Sequence, residues 1–211
     1  MIKRNTGVLY CLNKVESDLV PVSQRIVPPP VETLDHPTAI CLLAKELKGE
    51  REKFRYFELG IKDEKEKFRY LELGVRNSPV IDKMKLIATE THGVDINDCG
   101  KGKFDTFHQM TTDKYFEDSL FDDKFDMIFV DACHNIENVI KDFNNAFCSI
   151  RSGGIILLHD TYPHSEAYIN PRLCSTAYQV GPHIRDKYAK KNLVTYVTLP
   201  FQPGLTVVRK T

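Results

Sequence analysis

The chain predicts an α/β protein: a mostly parallel sheet covered by helices on both faces and finished by an antiparallel hairpin. Three observations carry this reading. Continuously apolar runs such as "MIFV" (Met127 to Val130) and "IILL" (Ile155 to Leu158) each end in polar residues. Amphipathic stretches of helical period separate such runs, and two β-branched runs joined by "FQPG" close the chain. A strand without polar alternation must be buried on both faces, which a parallel sheet between two helix layers provides.

The elements follow in order. Residues 1–36 contain "VPVSQRIVPPPVETLDHP", whose prolines exclude a helix interior, so they read as an extended N-terminal arm. A helix then begins, with Pro37 suited to its first turn and Ile40, Leu43, Ala44 and Leu47 on one face. Residues 37–67 comprise this lead-in helix and a duplicated insertion: "EREKFRYFELGIKD" (Glu50 to Asp63) is followed at once by "EKEKFRYLELGVRN" (Glu64 to Asn77). Spacing assigns the strand to the second copy. Glu72 lies 23 residues before Asp95, room for one turn, one helix and one strand, whereas Glu58 lies 37 before it. The first copy is expected to continue the preceding helix through Phe54, Phe57 and Ile61, despite Gly60, or to form an irregular insertion.

Beyond the repeat, "SPVIDKMKLIAT" predicts a helix with Val80, Met84 and Ile87 on one side, "HGVDIND" a short buried strand, and "KFDTFHQMTTD" a third strand and turn before a helical "KYFEDSLF". "KFDMIFVDACH" is the strongest strand signal and ends in Asp131. The helix "NIENVIKDFNNAFCSI" carries Ile136, Val139, Ile140, Phe143 and Phe147 at its apolar spacings, with Asp142 read as a solvated charge and "RSGG" as a glycine stop. After "GIILLHD", the stretch "STAYQVGPHIRDKYAKK" reads as helical with an interruption near Gly181 and Pro182, and "NLVTYVTLP" with "GLTVVRK" forms the hairpin.

Composition narrows the partners. The 29 basic residues balance 29 acidic ones, which removes any general attraction to nucleic acid or an anionic membrane and leaves a small molecule as the expected partner. No apolar run approaches the roughly 18 residues a membrane span needs, and "MIKRNTGVLYCLNK" has no signal-peptide apolar core, so a cytoplasmic location is expected. Six cysteines without a CxxC pair read as free thiols. A homodimer is left open. In parallel sheets ligands bind beyond the carboxyl ends of the strands, where this chain places Glu72, Gly74, Asp95, Thr111 to Asp113, Asp131 to His134, His159 and Asp160, an acidic cleft.

The motifs "YLELGV", "GVDIND", "FDMIFVDACH" and "SGGIILLHD", in this order and before a terminal hairpin, resemble class I S-adenosylmethionine-dependent methyltransferases over Phe68 to Arg209, and within them the branch of sugar and macrolide O-methyltransferases. The resemblance implies a Rossmann-like, mostly parallel seven-stranded sheet, a methyltransferase domain over residues 68–211, S-adenosylmethionine as cofactor, and O-methylation of a small-molecule or sugar hydroxyl. It assigns Glu72 and Gly74 to the cofactor turn, Asp95 to the ribose hydroxyls with Ile96 beside it, Thr111 and Asp113 to the adenine side, and Asp131 to the same cofactor set. In "GVRNSP", Arg76, Asn77, Ser78 and Pro79 occupy the places of further glycines in the family's turn. The resemblance also implies magnesium held by Asp131 and Asp160. His159 falls where relatives carry a second acidic residue, which suits a transition metal or a general base.

Catalysis would fall to Asp131, His134 and His159, which could orient the acceptor and take its proton. Tyr162, His164 and Tyr168 are candidates to line the acceptor pocket. Read without the resemblance, Thr111 to Asp113 also fits a helix N-cap, Asp95 a solvated turn, and either histidine a partner that merely orders a carboxylate. Two other functions compete: a nicotinamide-dependent oxidoreductase, which lacks the GxGxxG its pyrophosphate needs, and a non-catalytic nucleotide-binding protein retaining the fold.

Overall fold

The computed structural model describes residues 35–54, 67–118 and 124–211. Five parallel strands, β1 (Arg69–Leu73), β2 (Glu90–Asp95), β3 (Thr106–Gln109), β4 (Phe125–Val130) and β5 (Ile150–His159), lie in the order β3-β2-β1-β4-β5. The hairpin of β6 (Val194–Leu199) and β7 (Leu205–Lys210) completes seven strands, with β7 antiparallel to both β5 and β6. β7 is therefore the one reversed strand in the sheet. This is the mostly parallel, Rossmann-like architecture expected from the sequence.

Side-chain alternation divides the core into two layers. Tyr70 of β1, Met127 and Phe129 of β4 and Ile155 and Leu157 of β5 face one side, where α1 (His36–Phe54) covers them with Ile40, Leu43, Ala44 and Leu47. Leu71, Leu73, Ile128, Val130, Ile156 and Leu158 face the other side. There they meet Val139, Phe143 and Ala146 of α4 (Ile136–Ser149) and Val180 and Ile184 of α5 (Val180–Lys187). Each fully buried Leu, Ile or Phe contributes about 1.5–3 kcal/mol, so both helix layers are needed to hold the sheet. Two short helices, α2 (Ile81–Met84) and α3 (Thr112–Asp118), fill the β1–β2 and β3–β4 crossovers.

The second copy of the repeat supplies β1 at the sheet centre, between β2 and β4. The first copy begins inside α1, which runs through Glu50 to Phe54; the rest of it, including Phe57 and Ile61, lies outside the described residues, as does most of the expected arm. Among the described residues no helix is long and apolar enough to cross a membrane, and the five described cysteines are free thiols.

Four expectations change. "SPVIDKMKLIAT" buries Val80, Met84 and Ile87 as expected, yet only Ile81–Met84 is α-helical, because the Leu86 and Ile87 amides bond three residues back in tight turns. "RSGG" does not stop a helix: α4 ends at Ser149 and these residues form a bulge inside β5, between the pairs Phe125↔Ile150 and Met127↔Ile155. Pro182 does not interrupt a helix but sits in the first turn of α5, where a missing N–H has no partner to lose. Asp142 is not solvated. It shares the inner stripe of α4 with Val139 and Phe143 and is 2% exposed.

Candidate active site

β1 and β4 are adjacent in the sheet while the chain goes from β1 outward to β2 and β3, so the strand order reverses between them. Their carboxyl ends meet at Gly74 and Asp131, where the Asp131 amide donates to the Leu73 carbonyl at 2.8 Å. Gly74 has φ of +82°, and a Cβ there would lie 2.3 Å from the Asp131 carbonyl oxygen. Only glycine fits on both counts. Glu72, one residue inside β1, is 1% exposed and accepts a hydrogen bond from the Tyr70 hydroxyl at 2.8 Å. Burial pushes its carboxyl up to about 7. Glu72 thus lies buried beneath the turn, with its carboxylate held by the Tyr70 hydroxyl.

Asp95 closes β2 and holds the turn together. Its Oδ2 accepts from the amides of Val75 and Arg76, both at 3.0 Å, and its Oδ1 from the amide of Asn97 at 2.9 Å. Burial alone would raise its pKa; these three amides outweigh it and keep the carboxyl below the ordinary range. Arg76 has φ of 40°, a conformation that costs a non-glycine residue about 1–3 kcal/mol, so Asp95 supports the strained loop that replaces the family's further glycines. Ile96 beside it is 65% exposed, a large apolar side chain at the mouth of the cleft. Thr111 takes its N-cap role, its hydroxyl accepting from the Lys114 amide at 3.2 Å, and Asp113 pairs with Lys141 at 2.6 Å.

The four residues expected to carry chemistry converge, although they come from two strand ends and one connection. His134 Nε2 lies 3.4 Å from Asp131 Oδ1 and 3.1 Å from Asp160 Oδ2, while His159 Nδ1 lies 3.1 Å from each of the same two oxygens. Asp160 has φ of 60°, a left-handed conformation that Asp tolerates better than most residues. Its other oxygen, Oδ1, meets the Cys174 thiol at 3.4 Å, and burial pushes that thiol up to about 12. His134 Nδ1 faces the Leu173 carbonyl at 2.5 Å. Among the described residues, Asp131, His134 and Asp160 form the group able to hold a metal, with ligand atoms all within 4.8 Å of one another.

The cluster neutralises itself. Hydrogen bonding to Asp131, against the cost of burial, raises His134 to about 9. His159 is more buried, which alone would lower it, yet its bonds to Asp131 and Asp160 raise it to about 10. The reciprocal effect overcomes burial at Asp131 and holds that carboxyl low. A fifth member was not found from sequence: His36, in the first turn of α1, places Nδ1 2.7 Å from His159 Nε2. Burial and the His159 charge depress His36 to about 4, so the neutral ring accepts from the imidazolium. The partners are 123 residues apart, and nothing local to a histidine after a proline-rich stretch signals such a contact.

Of the candidates for the acceptor pocket, Tyr162 donates its amide to the Pro203 carbonyl in the β6–β7 turn at 2.9 Å, and His164 bonds the Pro200 carbonyl at 3.1 Å. The hairpin turn therefore pins the loop that follows Asp160. Tyr168 lies farther along, in a short 3₁₀ turn at Glu166–Tyr168.

The fold and this strand-end site define a class I S-adenosylmethionine-dependent methyltransferase. The model of the methyltransferase-domain family matches residues 41–161, more than half of the chain, and the protein belongs to that family. Among solved structures, the chain is similar to a putative O-methyltransferase from Klebsiella pneumoniae, with 14% identity, a TM-score of 0.56, and 85% of this chain and 91% of that one covered. It is also similar to the O-methyltransferase TomG from Streptomyces achromogenes, involved in tomaymycin synthesis and crystallised with SAM, at 14% identity, TM-score 0.51 and the same coverages. A third is the MycE methyltransferase of the mycinamycin biosynthetic pathway, in complex with Mg and SAH, at 17% identity and TM-score 0.51, covering 79% of this chain and 49% of that one. No curated protein sequence matches the chain.

Proposed function

We propose that the protein methylates a hydroxyl group of a small molecule or sugar. The observation that carries this reading is the convergence of Asp131, His134, His159 and Asp160 at the carboxyl ends of β4 and β5, beside the β1 turn. S-adenosylmethionine, when bound, supplies a methyl group on a sulfonium. Gly74, Asp95 and exposed Ile96 are the residues to hold it, with Asp131 at the shared edge; Thr111 and Asp113, engaged in a cap and an ion pair, would position the adenine side through the backbone they fix.

Methyl transfer needs an oxygen held in line with the methyl and relieved of its proton. At rest both rings are cationic, so a ring nitrogen takes that proton only after His134 or His159 has given up its own, and the imidazolium that re-forms at His159 lies 3.1 Å from two carboxylate oxygens. His36 accepts from the opposite side of the ring and fixes its orientation. The carboxylates of Asp131 and Asp160 also fit a divalent cation, which would supply Lewis acidity toward the hydroxyl. TomG and MycE, as their names and ligands are described, support the chemistry by likeness of fold alone.

Thermal unfolding with S-adenosylhomocysteine and with NAD tests the cofactor: stabilisation by the first and not the second is expected. Release of S-adenosylhomocysteine from S-adenosylmethionine in the presence of a panel of phenols, catechols and sugars tests the transfer. Binding without turnover on any hydroxyl would favour a fold-retaining binding protein instead.

A further inference from the structure

The two carboxylates account for a generic divalent site, but they leave His134 unexplained. We infer that Asp131 Oδ1, Asp160 Oδ2 and His134 Nε2 form a mixed oxygen and nitrogen site that binds first-row transition ions more tightly than magnesium. This deepens the functional reading above, since the ion would occupy the same site.

The three ligand atoms come from the end of β4, the β4–α4 connection and the end of β5, and all lie within 4.8 Å of one another. His134 Nε2 stands 3.4 and 3.1 Å from the two oxygens, separations that bonds of about 2.0–2.2 Å to a single ion accommodate. His134 is arranged as a ligand. Its Nδ1 proton goes to the Leu173 carbonyl, which leaves Nε2, aimed at both carboxylates, as the atom an ion would take in place of a proton. A second hydrogen bond on the far nitrogen is the support that metal-binding histidines use to fix tautomer and ring orientation. Asp160 is likewise held, with the Cys174 thiol on Oδ1 leaving Oδ2 to the cluster.

His159 approaches the same oxygens but is committed on both nitrogens, to the carboxylates through Nδ1 and to His36 through Nε2. It stays outside the shell and orients the carboxylates. Three protein ligands leave positions open for an acceptor oxygen. Magnesium prefers oxygen donors and gives up its waters reluctantly, so an imidazole adds little to its affinity, whereas manganese, cobalt and zinc gain from nitrogen in the order of their intrinsic affinities.

Titrating the full chain with magnesium, manganese, cobalt and zinc chlorides by calorimetry, without any methyl donor, tests this directly. Cobalt and zinc should bind at least about 10-fold more tightly than magnesium, with manganese between them. Pulsed electron paramagnetic resonance of the manganese form should show a coupled nitrogen from His134 in the unmutated protein. His134→Gln should lose that coupling and about 10–100-fold in cobalt affinity, the scale of a ligand or its close support, with magnesium affinity little changed. His159→Gln should weaken all ions alike and keep the coupling. Equal affinity for magnesium and cobalt, a manganese form without coupled nitrogen, or no ion binding at all would overturn the inference. S-adenosylhomocysteine binding, measured separately, keeps the two readings apart: its presence without ion binding defeats only the metal site, and its absence beside His134-dependent cobalt binding defeats only the methyltransferase reading.

Discussion

Two aspartates bracket the same strand and are treated in opposite ways. Asp126, at the amino end of β4, is 0% exposed and pairs with Arg51 of α1 and Arg151 of the β5 bulge, while accepting the Arg69 amide at 2.6 Å. Asp131, just beyond the carboxyl end, is partly open and pairs with His134 and His159. A guanidinium never gives up its proton, so the charge on Asp126 is compensated permanently. An imidazole can, so the compensation of Asp131 depends on the protonation of its partners. One strand thus carries a structural lock at one end and the proposed site at the other, and the difference lies in the base that faces each carboxylate.

The comparison breaks most severely at the lock. Asp126→Ala should destabilise the fold by about 3–5 kcal/mol, because two arginines would be left without their buried counter-charge. Urea unfolding would measure it, and a loss under 1 kcal/mol would mean the arginines find other partners freely. Asp131→Asn should do the reverse: cut methyl transfer by at least about 10²-fold while changing stability by about 1 kcal/mol or less. Parallel kinetics and unfolding on this variant show whether the two ends are separable.

Asp142 sharpens the contrast as a buried carboxylate that faces the Thr112 side chain, with no cation as close a partner as those of Asp126 among the described residues. Burial pushes it from its ordinary 3.8 up to about 6, so the folded state holds this proton more tightly than the unfolded chain. Its favourable contribution is complete below pH 3.8 and is lost as the pH rises through 6. Asp142→Asn should therefore gain about 1–3 kcal/mol over the parent at pH 8 and show little difference at pH 3.5, checked by thermal unfolding across that range. The smallest effect is expected from excising Glu50 to Asp63. The junction then offers Glu64 and Lys65 where Glu50 and Arg51 stood, and S-adenosylhomocysteine affinity should change by less than about threefold, near 0.7 kcal/mol.

Much of this was readable in the residues because it is local. The apolar runs of β4 and β5 end in Asp131 and in His159 with Asp160, and a parallel sheet brings such ends together whatever the loops do. The choice of the second repeat as β1 rested on spacing, which crossovers fix. What escaped was non-local or depended on competing uses of one residue type. His36 reaches His159 only through the packing of α1 on the sheet. Glu72 was read from its place at a strand end, and its alternation, which sets it with Tyr70 on the inner face, is the sign of burial that the motif alone did not convey. Asp142 carried a visible sign, three residues after Val139 and one before Phe143, that was outweighed by the habit of carboxylates to be solvated. The Asp95 carboxylate accepts from the Val75 and Arg76 amides across some twenty residues, a contact that no local pattern announces.

The duplication has one more consequence, for those who would handle the protein. In sequence the first copy comes ahead of Arg69, the amino end of β1, whereas Gly74 and the Asp131 cluster follow the carboxyl ends of β1 and β4. The amino end of β1 is therefore the place to join a fluorescent reporter, an affinity handle or a sensor domain, a strand's length away from the Asp131 cluster.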